Sequence, residues 1–267
     1  MTSSAGLEIP ITDPAEVAAF VRGLPLAMDP GFARFILGFP HKYLQETPRA
    51  EVVKHYALAG SLGAKPVISS LARTQSLWKL CVITRDRRFL FSRIAGALSC
   101  FGMNIVAAEA FANASAVVLD TFRGRDDEGR FEDDALRRRF QVFLEEAVEG
   151  KADLEARLKE RLEREQTPTA VFEADIEDEP ALHATRLRLR GPDRFGLLYS
   201  ISRRLSEAGA DIALAEIETV SGLVRDAFLL TREGEALGPE GRAGVEEALR
   251  GLATVTPPGG GSRTALS

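Results

Sequence analysis

The stretch from Ala184 to Arg190 alternates, with Leu187 and Leu189 on one face and Arg186, Arg188 and Arg190 on the other. A period of two with one polar face predicts a strand in a half-solvated sheet. Seven residues later the period changes. Leu197, Ile201 and Leu205, with Leu198 beside them, form one helical stripe. Gly209 stands near the end of this helix, where a left-handed residue is easily placed. Two further strand patterns follow, DIALAEIETV and LVRDAFLLT. A last helix comes near Gly244–Leu252, and only Ala253–Thr256 remains for a short closing strand.

The same grammar occurs earlier. LWKLCVIT leads through a charged turn into a helix that ends near Gly102, and the strands NIVAAEAFA and AVVLDTF come next. A helix carries Leu136, Phe140, Phe143 and Leu144, and a charged helix with Leu154, Leu158 and Leu162 extends it. A strand near Val171–Ile176 is expected to close this copy. A shift of about 107 residues superposes Asp86 on Asp193, Arg87 on Arg194, Leu90 on Leu197, Ile94 on Ile201, Gly102 on Gly209 and Glu109 on Glu216. One residue of slippage later, Asp120-Thr121-Phe122 falls on Asp226-Ala227-Phe228. Self-similarity with preserved spacing marks an internal repeat. The predicted fold is α+β, two ferredoxin-like βαββαβ units in tandem.

Residues 1–66 read as helical. Asp13-Pro14 and Asp29-Pro30 each place a capping carboxylate before a proline suited to a first helical position, and Thr47-Pro48 opens a third helix. The domains expected are thus a helical segment at 1–66, a first repeat with its helical extension at 67–178, a second repeat at 182–256 and a disordered tail at 257–267. The net charge of −5 is a poor match to nucleic acid or an anionic membrane. No apolar run approaches the ~18 residues of a membrane span, and no signal peptide is evident, so the expected location is cytoplasmic. Cys81 and Cys100 read as buried thiols inside a strand and a helix.

The chemistry worth attention lies at the strand-to-helix turn of each copy. Free N–H groups at a helix start favour a carboxylate or phosphate. A glycine there lets a ligand or a neighbouring backbone come close. In the second copy the turn is Asp193-Arg194-Phe195-Gly196-Leu197, with Asp211-Ile212 opening the next strand; in the first it is Asp86-Arg87-Arg88-Phe89-Leu90, with Asn104-Ile105. An aspartate beside the amides suits an ammonium, so such a turn suits both backbone ends of a free amino acid. The same residues also suit a structural role, Asp193 as a cap and Gly196 as packing relief. The residues alone leave both readings open.

These stretches resemble ACT domains, small βαββαβ modules that bind amino acids. The family pattern is Asp-Arg-Pro-Gly-Leu at the turn, Gly-x-Asn-Ile at the helix end and Asp-x-Phe in a later strand. The nearest likeness is the tandem ACT region of bifunctional PII uridylyltransferase/uridylyl-removing enzymes, and Phe39-Pro40-His41-Lys42-Tyr43-Leu44 is similar to the linker before it. The resemblance covers residues 39–235. It implies a non-catalytic regulatory protein that senses a small amino acid, glutamine first, in nitrogen signalling. It also implies sheets paired within the chain or across a homodimer. The first copy lacks both the proline and the glycine, and Phe89 sets a ring where ligand should approach. The binding site is therefore expected in the second copy, at Asp193, Arg194, Phe195, Gly196, Leu197, Asp211 and Ile212. A weaker site is expected at Asp86, Arg87, Asn104 and Ile105.

Catalytic motifs are missing. The nucleotidyltransferase chemistry of such enzymes needs a Gly-Ser turn with Asp-x-Asp for two magnesium ions, and no Asp-x-Asp occurs. His41, His55 and His183 are scattered, without metal-ligand spacing. No cofactor and no metal are expected. Two rival readings stay in view. One is a ligand-free module that binds a PII-type or nucleotidyltransferase protein. The other is a degenerate uridylyltransferase.

Overall fold

The structure is a computed structural model that describes residues 9–164, 171–250 and 254–256. The tail expected at 257–267 lies outside the described residues. Four short helices come first: α1 (Pro14–Val21), α2 (Pro30–Ile36), α3 (His41–Glu46) and α4 (Arg49–Ala59). Asp13 and Asp29 cap α1 and α2 by accepting from the amides of Ala15 and Gly31, each at 2.8 Å. Pro40 and Pro48 bracket α3, a turn of helix beyond the three foreseen.

Two matching sets follow. The first is β1 (Val67–Thr74), β2 (Leu77–Arg85), α5 (Leu90–Cys100), β3 (Asn104–Ala112), β4 (Val117–Arg125), α6 (Asp134–Glu149) and α7 (Leu154–Arg164). The second is β5 (Val171–Glu179), β6 (Ala184–Pro192), α8 (Leu197–Glu207), β7 (Asp211–Val220), β8 (Leu223–Thr231), α9 (Gly238–Arg250) and the short β9 (Thr254–Thr256). All strands join one sheet in the order β1-β2-β4-β3-β7-β8-β6-β5-β9. The architecture is the α+β arrangement of tandem ferredoxin-like strand–helix repeats that the periodicity implies.

One strand is placed differently from expectation. The strand foreseen as the close of the first copy is β5, and it pairs antiparallel with β6 of the second copy. The first copy's outer strand is β1, which precedes β2 and pairs with it along its whole length. A tight hairpin supplies the outer strand at lower loop-closure cost than a return from beyond two helices. The second copy does the same with β5 and β6, and β9 then adds in parallel outside β5.

The two copies pair within the chain. β3 runs antiparallel to β7, and Glu109 faces Glu216, its own counterpart in the repeat. The approximate twofold axis therefore passes through this pair. Helices α5 to α9 cover one face of the sheet, over a core that includes Phe122, Phe140, Ile201 and Phe228. The N-terminal helices cover the other face and span both copies. Phe32, Phe39 and Tyr43 meet Ile83 and Phe111 of the first copy and Leu214 and Leu229 of the second. Each such buried aromatic or leucine side chain contributes about 1.5–3 kcal/mol. Lys42 adds an ion pair to Glu216.

Candidate functional site at the seam of the two repeats

The two turns share one backbone shape. Asp86 donates its amide to the Ala116 carbonyl at 2.9 Å, and Asp193 donates to Gly222 at 2.8 Å. The residue before each helix is left-handed: Gly196 at φ 67°, ψ 12° and Phe89 at φ 65°, ψ 9°. Glycine takes this shape freely. A phenylalanine there is an outlier whose strain is on the order of 1–2 kcal/mol. The Phe89 ring is braced by guanidinium groups, Arg88 at 5.0 Å and Arg93 at 5.9 Å from its centroid. Arg88 itself donates to the Ser206 carbonyl at 2.9 Å, on the helix of the other copy.

The expected site residues are brought together across the copies. The antiparallel seam sets the start of each copy's inner strand beside the other copy's turn. Asp211 and Ile212 join Asp86 and Arg87, whereas Asn104 and Ile105 join Asp193 to Leu197. Spacing along the chain carried no sign of this exchange. The two sites differ in room. At the second turn about 20 Å³ is open, with Phe195, Met103, Ile105 and Ile217 crowding it. At the first turn the cavity is about 380 Å³, within the ~300–1,000 Å³ of small-molecule sites. The open space thus lies at the first turn, whereas the sequence places the site at the second. The Phe89 ring borders the larger cavity without closing it.

Each site holds a buried aspartate absent from the expected set. Asp120 on β4 is 1% exposed, and neither carboxylate oxygen has a hydrogen-bond partner among the described residues. It lines the larger cavity, where burial, with Asp86 adding, pushes its carboxyl well above the usual range. Asp86 is also raised, by burial first and by the Asp211 charge, against the Arg87 amide that donates to it. In the smaller site Asp226 is 3% exposed, and burial, with Asp193 adding, pushes it up to about 8. The signal available in the sequence was the pair Asp-Thr-Phe and Asp-Ala-Phe, a charge in mid-strand in both copies.

A cavity with a buried, unpartnered carboxyl lacks a donor, and an ionic partner is the strongest way to supply one. The N-terminus of the eleven-residue α5 faces the same space through Phe89, Leu90 and Phe91, and the positive end of its dipole suits an anion. Among the described residues no group of three or more His, Cys, Asp or Glu side chains has the arrangement of a metal site. Among them, too, no helix is long and apolar enough to cross a membrane.

No protein-family model matches the chain. By sequence it is similar to part of several bifunctional uridylyltransferase/uridylyl-removing enzymes. The one from Bradyrhizobium diazoefficiens is 31% identical over 57% of this chain and 17% of its own length. That from Azospirillum brasilense is 29% identical over 61% of this chain and 18% of its own. That from Caulobacter vibrioides is 28% identical over 81% of this chain and 24% of its own. The chain thus spans less than a quarter of the length of these curated relatives.

Proposed function

We propose that this chain is a regulatory unit of the ACT type that binds one free α-amino acid at the seam between its repeats. The observation that carries this is Asp120, a fully buried carboxyl without a partner on a cavity of about 380 Å³. In this reading the ligand ammonium sits against Asp120 and Asp86. Its carboxylate faces the positive end of α5, with Arg87 alongside. The similarity to a limited part of uridylyltransferase/uridylyl-removing enzymes supports a regulatory part in nitrogen signalling, with PII-type proteins or their modifying enzyme as the partner.

The ligand has three walls to act on. The cavity touches the first copy's turn, the start of β7 in the second copy, and the N-terminal segment through Pro10, Gly38 and Pro40. Binding shifts the packing of these parts only as far as the ligand prefers one arrangement over another. Burial favours the neutral form of the Asp120 carboxyl, and an ammonium against it favours the ionised form. Binding therefore releases protons, and affinity rises with pH.

The test is calorimetric titration with a panel of amino acids and their N-acetyl derivatives, in buffers of different ionisation heat. Saturable binding by free amino acids alone, with a buffer-dependent heat of proton release, is expected. Equal binding of an N-acetyl derivative would sink the assignment of Asp120.

A further inference from the structure

The cavity has two chemically different ends. It opens beyond the last pair of the β3–β7 seam, Phe111 with Leu214, so it passes from one face of the sheet to the other. On the helix-covered face stand the turn of the first copy and Asp120. Side chains alternate along β4, and Val118 and Phe122, two residues either side of Asp120, belong to the helix-side core. On the opposite face the lining is Phe111, Ala184, Leu214 and Leu229, all members of the core beneath the N-terminal helices, with the half-buried Thr231 at its edge beside Asp211. Leu182 and Pro40 close that end. The exposed Asp211 and Gly234 border the cavity at its solvent side.

We infer that the amino acid held here carries an apolar side chain of the leucine or methionine class. This rests on the reading of the cavity as an amino-acid site, and it departs from the glutamine that family likeness implies. With ammonium and carboxylate fixed at the polar end, the side chain runs through the seam into the apolar end. There it meets leucine, phenylalanine and proline surfaces. A terminal amide in that position gives up water among apolar side chains, with the Thr231 hydroxyl only at the rim, whereas a branched or thioether chain fills the space by contact. An unpaired buried polar group costs about 1–3 kcal/mol, which converts to about 5- to 150-fold in affinity.

The experiment is competitive calorimetry on the full chain with L-leucine, L-methionine and L-glutamine, repeated on Leu182→Asn. Leucine or methionine is expected to bind at least about tenfold more tightly than glutamine. In Leu182→Asn, a change at a half-buried surface turn, that ratio narrows several-fold. Glutamine binding as tightly as leucine overturns the inference and leaves the amino-acid site standing. An unchanged ratio in the variant overturns the placement of the side chain. Failure of every amino acid to bind removes the site reading and this inference with it.

Discussion

Asp226 gives the sharpest handle on the buried carboxyls. It is 3% exposed, its Oδ1 has no partner among the described residues, and burial raises it from the ordinary 3.8 to about 8, with the Asp193 charge adding. In the unfolded chain it ionises near 3.8, so over the intervening range the folded state holds a proton that the unfolded state has lost. Stability then falls as pH rises, by about 1.4 kcal/mol per pH unit, until the folded carboxyl ionises. The contribution is full below about pH 4 and gone above about pH 8. Asn has the same shape, stays neutral and keeps the oxygen that accepts from the Glu218 amide. Asp226→Asn should therefore be free of this loss. Urea unfolding of wild type and variant at several pH values isolates the term, because the other titrating groups cancel in the difference. The variant's advantage should grow by about 3 kcal/mol between about pH 5 and pH 7. An advantage that stays constant across that range, or a variant weakened equally at every pH, would refute the reasoning.

Three other outcomes follow from local geometry. Phe89→Gly should be more stable than Phe89→Ala by about 1 kcal/mol in urea unfolding, because both lose the ring and only alanine keeps the left-handed strain. Equal stabilities would deny that strain. Asn113 is 7% exposed; it donates to the Phe35 carbonyl at 2.8 Å and accepts from the Ser115 and Val117 amides at 2.9 Å. Asn113→Ala should cost about 2–3 kcal/mol in thermal or urea unfolding, and a loss under about 0.5 kcal/mol would contradict that network. Gly38 has φ 90°, and a Cβ there would lie 2.2 Å from the Ala114 nitrogen. Gly38→Ala should cost more than about 2 kcal/mol, with faster amide exchange in α2 and α3, and unchanged exchange in those helices would speak against the contact.

Much of the fold was legible because the repeat states each element twice. The alternating Leu187 and Leu189, the Leu197-Ile201-Leu205 stripe and the proline-led caps at Asp13 and Asp29 all locate elements that form. Strand order was harder. Val171–Ile176 carries no residue that says whether it turns back to the first copy or forward to the second, and a short hairpin to β6 decides it. The amphipathic N-terminal helices announced a buried face but not the surface it covers. At the site, Asp86 and Asp193 were found from the turn, yet their partners came from the other copy. That exchange is a property of the antiparallel seam. The loss of the glycine at Phe89 suggested a blocked first turn, and a sequence does not show two guanidinium groups packed on that ring beside an open cavity. Asp120 and Asp226 were visible as charges inside apolar strands, and burial alone gives them meaning.

One amino acid is expected to bind per chain, at the first turn, through Asp120. Calorimetric titration of wild type, Asp120→Asn and Asp226→Asn with the tightest amino acid of the panel tests it most directly. The expected result is one site per chain, an affinity at least about tenfold weaker in Asp120→Asn, and an affinity within about twofold of wild type in Asp226→Asn. Two sites per chain, or a loss confined to Asp226→Asn, would contradict it.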